Sequence, residues 1–138
     1  MPVPLCFAQC LVQAWAQEAV YAAEAGVVKV AQTDAQWGGW VTIEHTPVGE
    51  SAFTTVYWHI TPGVSVNQSV AEGQWIGNVV DLTALTGGQY NTHFHFGVRT
   101  GYYTNTSNRG GLPQTSCGGD PAYPENFINP LSLPYHYK

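Results

Sequence analysis

From residue 26 onward, short runs of β-branched and aromatic residues are separated by turn residues. Val27-Val28-Lys29-Val30, Trp40-Val41-Thr42-Ile43-Glu44-His45 and Phe53-Thr54-Thr55-Val56-Tyr57-Trp58-His59-Ile60 have the make-up of strands that lie half-buried on a pleated surface. Gly38-Gly39 and Pro47-Val48-Gly49 supply turns between them, and Thr61-Pro62-Gly63 predicts another. Val64, Val66 and Val70 follow as isolated apolar stations. Gln74-Trp75-Ile76-Gly77-Asn78-Val79-Val80 is a further strand, and His93–Arg99 closes the series. About six short strands spaced by turns predict an all-β fold: antiparallel sheet arranged as a sandwich or partial barrel. The one helical candidate is the stretch Gln9–Glu24, and from Val20 it too reads as strand. Residues 104–124, rich in Gly, Pro, Asn and Ser, predict a long loop directly after the last strand. No internal repeat is evident.

The last strand carries the chemistry. In Asn91-Thr-His-Phe-His-Phe-Gly-Val98 the two imidazoles, His93 and His95, fall on one face of a strand and Phe94 and Phe96 on the other. Two histidines so placed resemble half of a metal site. On their own, however, two strand histidines at this spacing are more often structural than chemical. His45 reads as a structural histidine within its strand, and His136, in a Pro-Tyr tail, as a surface residue.

Bulk properties narrow the function. A chain of 138 residues suits one domain with a real core. Charged residues make up 9%, far below the usual quarter, so Thr, Asn, Gln, Ser, Gly and Tyr must cover the surface. That surface suits an extracytoplasmic or carbohydrate-contacting protein. Lys and Arg total 4 against a net charge of −5, which excludes the basic stripe that nucleic acid requires. No apolar run is long enough to span a bilayer. Ala14-Trp15-Ala16 has the A-x-A form of a cleavage site, but no basic n-region precedes it and glutamines interrupt the apolar run, so no convincing signal peptide is read. Cys6, Cys10 and Cys117 leave at least one thiol unpaired in a monomer. Cys6 and Cys10 can share one side of a helical turn or serve as small apolar residues, and the sequence does not choose their disulfide state.

Read in order, Val20-Tyr-Ala22…Gly26-Val-Val28, Val41-Thr-Ile-Glu-His45, Tyr57-Trp-His59, Val70-Ala-Glu-Gly-Gln-Trp-Ile-Gly77, Thr92-His-Phe-His-Phe96 and Ile128-Asn-Pro130 resemble the LytM/lysostaphin-type zinc metallopeptidases. The resemblance covers about residues 19–131, and 19–134 is taken as the peptidase-like domain, N-terminally incomplete. Residues 1–18 are an unassigned N-terminal segment and 135–138 a tail. It implies an enzyme of the bacterial envelope, acting outside the cytoplasm, that cuts peptide bonds in peptidoglycan cross-links. Zinc is the implied cofactor and wall peptide the implied partner. His95 falls on the family's metal ligand. His59 and His93 fall on the catalytic histidines that flank the zinc-bound water and the scissile carbonyl. The chemistry suits these residue types: zinc keeps an open position for water and lowers its pKa to about 7. Neutral imidazoles beside it can take a proton or donate to the oxyanion. Asn67 stands where the family has glycine, and asparagine tolerates positive φ. Gly73 and Gly77 are read as serving tight bends or a bulge.

The family's other two ligands come from an upstream H-x-x-x-D. Aligned on Val20-Tyr21-Ala22, those positions fall near Phe7 and Leu11, and no H-x-x-x-D occurs in the chain. Asp34, Asp81 and Cys10 are candidate substitutes, each needing a different geometry. Three readings follow in order: a truncated or degenerate peptidoglycan endopeptidase; a catalytically inactive relative that binds wall peptide or regulates a partner hydrolase; and a structural β-sandwich. An H-x-x-x-D in another frame of the coding DNA separates the first from the second. The loop 104–124 is expected beside the site, with Tyr102, Tyr103 and Tyr123 stacking on sugars or capping the core.

Overall fold

The computed structural model describes residues 9–103 and 127–128, with residues 9–13 and 127–128 described through their backbone pairing. The strands are β1 (Gln9–Gln13), β2 (Ala19–Tyr21), β3 (Gly26–Asp34), β4 (Gly38–His45), β5 (Phe53–Trp58), β6 (Ile60–Pro62), β7 (Ser69–Val70), β8 (Trp75–Val79), β9 (His93–Thr100) and β10 (Phe127–Ile128), with one helical turn, α1 (Leu82–Leu85). A seven-stranded sheet has the order β1-β9-β5-β4-β3-β7, with β10 also paired to β9, and a three-stranded sheet has the order β2-β8-β6. Every pairing is antiparallel.

The core lies between the two sheets. Val28, Val41, Ile43 and Tyr57 of the large sheet meet Val20, Ile60, Ile76 and Val79 of the small one, and Phe94 and Phe96 of β9 pack against this cluster. Alternation then decides the rest of β9: with the phenylalanines committed to the core, His93 and His95 belong to the opposite face. On that face the register aligns Trp40, Trp58 and His95 across three neighbouring strands. Trp40 and Trp58 are buried there with ring centroids 5.1 Å apart.

Several expectations need correction. The Gln9–Glu24 stretch is not helical: it forms β1, and β2 where the residues from Val20 onward read as strand, because its backbone groups are satisfied by the distant strands β9 and β8. A long-range pairing of this kind leaves no trace in local propensity. Cys10 therefore sits in a strand and not on a helical turn, while Cys6 and Cys117 lie outside the described residues. The run Phe53–Ile60 is broken at His59, whose φ is 68°, and the chain resumes as β6 through Thr61-Pro62, where a turn was expected. The helical turn at Leu82–Leu85 was not foreseen; Asp81 caps it by accepting the Ala84 N–H at 3.0 Å.

The turn readings fare better. Asn67 has φ 75° and Gly73 φ 77°. Gly77 lies inside β8, next to the register shift at Val20/Tyr21, and a Cβ there would come within 2.4 Å of the Thr61 carbonyl oxygen. It is needed for close strand approach.

Candidate functional site

His59, His93 and His95 come together. Each offers one nitrogen, and these atoms all lie within 4.8 Å of one another. The ring centroids of His59 are 5.0 Å from His93 and 5.1 Å from His95, and the latter two are 5.0 Å apart. His93 and His95 arrive by strand alternation. His59 arrives by a backbone device: its left-handed φ turns the chain out of β5, its N–H donates to the Gly39 carbonyl at 2.9 Å, and its own carbonyl accepts from Val80 N–H at 3.0 Å. A non-glycine residue at such a φ is held there by its surroundings at a cost on the order of 1 kcal/mol or more.

The tautomers follow from the partners. A carbonyl oxygen can only accept, so His59 donates from Nδ1 to the Trp37 carbonyl (2.9 Å) and His93 from Nδ1 to the Asn91 carbonyl (2.7 Å). In the neutral ring this leaves Nε2 as the lone-pair nitrogen of each. His93 Nε2 and His95 Nε2 are 3.3 Å apart. Burial holds the His59 imidazolium down to a pKa of about 4, against the opposing Trp37 hydrogen bond, with His93 lowering it further. Burial, then His59 and His93, lower His95 to about 3. Both are neutral imidazoles at pH 7, the form that binds metal or accepts a proton.

The donor set fits zinc chemically. Imidazole nitrogen is among zinc's usual donors, and three such nitrogens lie here within 4.8 Å of one another. Backbone carbonyls on the far nitrogens of His59 and His93 are the kind of outer contact that fixes ligand rings. Among the described residues no other group of three His, Cys, Asp or Glu side chains meets the same test. The upstream ligand pair does not fit. Leu11 in β1 is the register partner of His95 and carries no donor atom, and Cys10 pairs with Phe96; position 7 lies outside the described residues.

The acidic substitutes are committed elsewhere. Asp34 Oδ1 accepts the N–H groups of Gln36 and Trp37, both at 2.8 Å, and Asp81 caps α1. The two carboxylates line one recess of about 400 Å³, with none of the three imidazoles among its described lining. His45 is structural, as read from the sequence: fully buried, with Nδ1 donating to the Ala25 carbonyl at 2.8 Å and Nε2 2.7 Å from Thr55 Oγ1. Tyr102 is 65% exposed and caps no core. The Tyr103 N–H donates to Glu44 Oε2 at 2.8 Å. Residues 104–124 and His136 lie outside the described residues. The sequence reading missed the carbonyls of Trp37 and Asn91, which have no side-chain signature. The Asp34 turn had one, an Asp three residues before Trp-Gly-Gly.

With this geometry in view, the model of peptidase family M23 matches residues 10–108. The chain belongs to peptidase family M23. Its fold is similar to that of two solved catalytic domains. The catalytic domain of the antimicrobial peptidase lysostaphin from Staphylococcus simulans aligns at TM-score 0.53 and 21% identity, over 69% of this chain and 68% of that one. The catalytic domain of the prophage-encoded M23 protein EnpA from Enterococcus faecalis, in a mutant form, aligns at TM-score 0.52 and 20% identity, over 71% and 74%. A zinc-containing peptidase from Vibrio cholerae aligns at TM-score 0.48 and 29% identity over 62% of this chain, which spans 24% of that longer protein. No curated protein matches in sequence. The LytM/lysostaphin resemblance read from the motifs is thereby the family itself, and the all-β architecture is that of the lysostaphin-type domain.

Proposed function

We propose that this M23 domain is a zinc metalloendopeptidase directed at the cross-link peptides of peptidoglycan, acting outside the cytoplasm. The observation that carries the reading is the convergence of His59, His93 and His95, with their nitrogens within 4.8 Å, on an M23 fold. His95 is the metal ligand, and His59 and His93 are the catalytic histidines. Zinc in such a setting supplies Lewis acidity, polarising a peptide carbonyl and making water a competent nucleophile near neutral pH.

The protein's own residues do the rest. The Nε2 lone pair of His59, neutral because its ring is buried, accepts a proton from the attacking water. His93, held through Nδ1 by the Asn91 carbonyl, presents Nε2 next to His95 and keeps the reacting groups in one small volume. Trp58, whose ring centroid is 5.2 Å from that of His59, limits water on that flank.

Leucine opposite His95 favours a second reading, an inactive member that binds wall peptide or regulates a partner hydrolase. One preparation tests both. Zinc at one per chain together with cleavage of purified wall is the expected result. Protein that carries no zinc, leaves wall intact and still sediments with it overturns the enzymatic reading in favour of the binding one.

A further inference from the structure

The turn between β3 and β4 and the first residues of β4 lie outside the imidazole cluster, yet they supply two of the contacts that seat His59. Trp37 gives its carbonyl to the His59 ring at Nδ1, and Gly39 gives its carbonyl to the His59 backbone N–H, each at 2.9 Å. The Trp37 ring adds a third side, with its centroid 6.1 Å from the imidazole and 5.8 Å from Tyr90. The turn is itself shaped by one carboxylate. Asp34 Oδ1 takes the N–H groups of Gln36 and Trp37 together, so the peptide units on either side of Trp37 are pinned, one by Asp34 and one by His59. Gly38 and Gly39, at φ 94° and 143°, then return the chain to the sheet in a conformation that L side chains rarely adopt. A Cβ on Gly39 would meet the Gln32 and Ile60 carbonyl oxygens at 2.4 and 2.9 Å, so the turn has little room to settle differently.

We propose that Asp34 is a positioning residue: through this turn it fixes His59 as the Nδ1–H tautomer and so reserves Nε2 for the chemistry of the cluster. The proposal rests on the catalytic reading of His59 given above. It assigns Asp34 a task other than metal ligation, consistent with the carboxylate's two short bonds to backbone N–H groups. Losing the Asp34 oxygen frees the Trp37 peptide to rotate. The His59 ring then loses the acceptor that selects its tautomer, and the left-handed backbone at residue 59 loses one of its supports.

The test uses the full chain, metal-free, with ¹⁵N-labelled histidine, and reads the tautomer of each ring by long-range ¹H–¹⁵N NMR. Wild type is expected to show His59 as a single Nδ1–H tautomer. Asp34→Ala is expected to give a mixture in which Nε2–H is at least comparable, and about a tenfold or greater loss in wall-peptide cleavage, the scale that small misplacements of reacting groups produce. Asp34→Asn keeps an oxygen acceptor and is expected to restore both readouts to within about threefold of wild type. Asp34→Gly removes the same oxygen from a more pliable turn and replaces the alanine variant should that not fold. An unchanged His59 tautomer without the Asp34 oxygen overturns the proposal, and so does an asparagine variant that behaves like alanine. The tautomer is read without metal or substrate. A wild-type protein that fails to cut wall therefore counts against the enzymatic reading and leaves the positioning result to be decided by the spectrum.

Discussion

The described histidines fall in two places, and they are opposites in how their nitrogens are used. His45 is spent within the fold. Nδ1 donates to Ala25, Nε2 meets Thr55, Thr55 Oγ1 and Tyr57 Oη lie 3.0 Å apart, and Tyr57 Oη accepts the Ala23 N–H at 2.9 Å. Phe53 stacks on the ring at 4.6 Å. In the cluster of His59, His93 and His95 the protein satisfies one nitrogen of His59 and of His93 with a backbone carbonyl, and the remaining nitrogens face one another's rings. Burial alone does not separate the two regions, since it lowers the pKa of His45 as well as those of His59 and His95. The number of nitrogens left over after the fold is satisfied does separate them.

The largest effect that sharpens this contrast is on metal and turnover. His95→Ala is expected to abolish zinc binding, while His59→Ala or His93→Ala retains most of the metal and lowers wall cleavage by about 10²–10⁴-fold. Zinc content by mass spectrometry, beside a cleavage assay, reads both. Equal loss of zinc in all three variants would instead make the three imidazoles a joint ligand set and undo the division of roles.

Next in size is a change of stability with no effect on metal. His45→Ala should cost about 3 kcal/mol by removing a fully buried ring and stranding its partners, measured by denaturant unfolding, with zinc stoichiometry intact. Metal loss in that variant at temperatures where it stays folded would break the distinction.

Acid should act on both regions together. His59 has a pKa of about 4 in the folded protein against an ordinary 6.5. Between those values the unfolded chain binds more protons, so stability is full above pH 6.5 and declines as pH falls toward 4. His59 alone accounts for up to about 3 kcal/mol of that decline. Melting of metal-free protein from pH 7 to pH 4 should fall accordingly, and a flat profile would mean that the rings are not buried as described. Thr55→Val is the smallest change. It cuts the His45 relay at one hydroxyl, for about 1–2 kcal/mol, and leaves cleavage unaltered.

Much of this was legible in the residues. Alternation placed His93 and His95 on one face because Phe94 and Phe96 must face the core, and the ordered motifs pointed to the family that residues 10–108 match. The helical candidate before Val20 failed because β1 exists only through its pairing with β9, some eighty positions along the chain.

The sequence by itself determined the period, the turn residues and the inventory of donors, including the want of an H-x-x-x-D, because those are properties of side chains and their spacing. Tertiary structure alone decided that His59 leaves its strand at a left-handed residue, that backbone carbonyls choose its tautomer and that of His93, and that a leucine stands opposite His95. Those outcomes depend on where main-chain groups from distant segments meet, and a peptide carbonyl is the same at every position until the fold brings a partner to it.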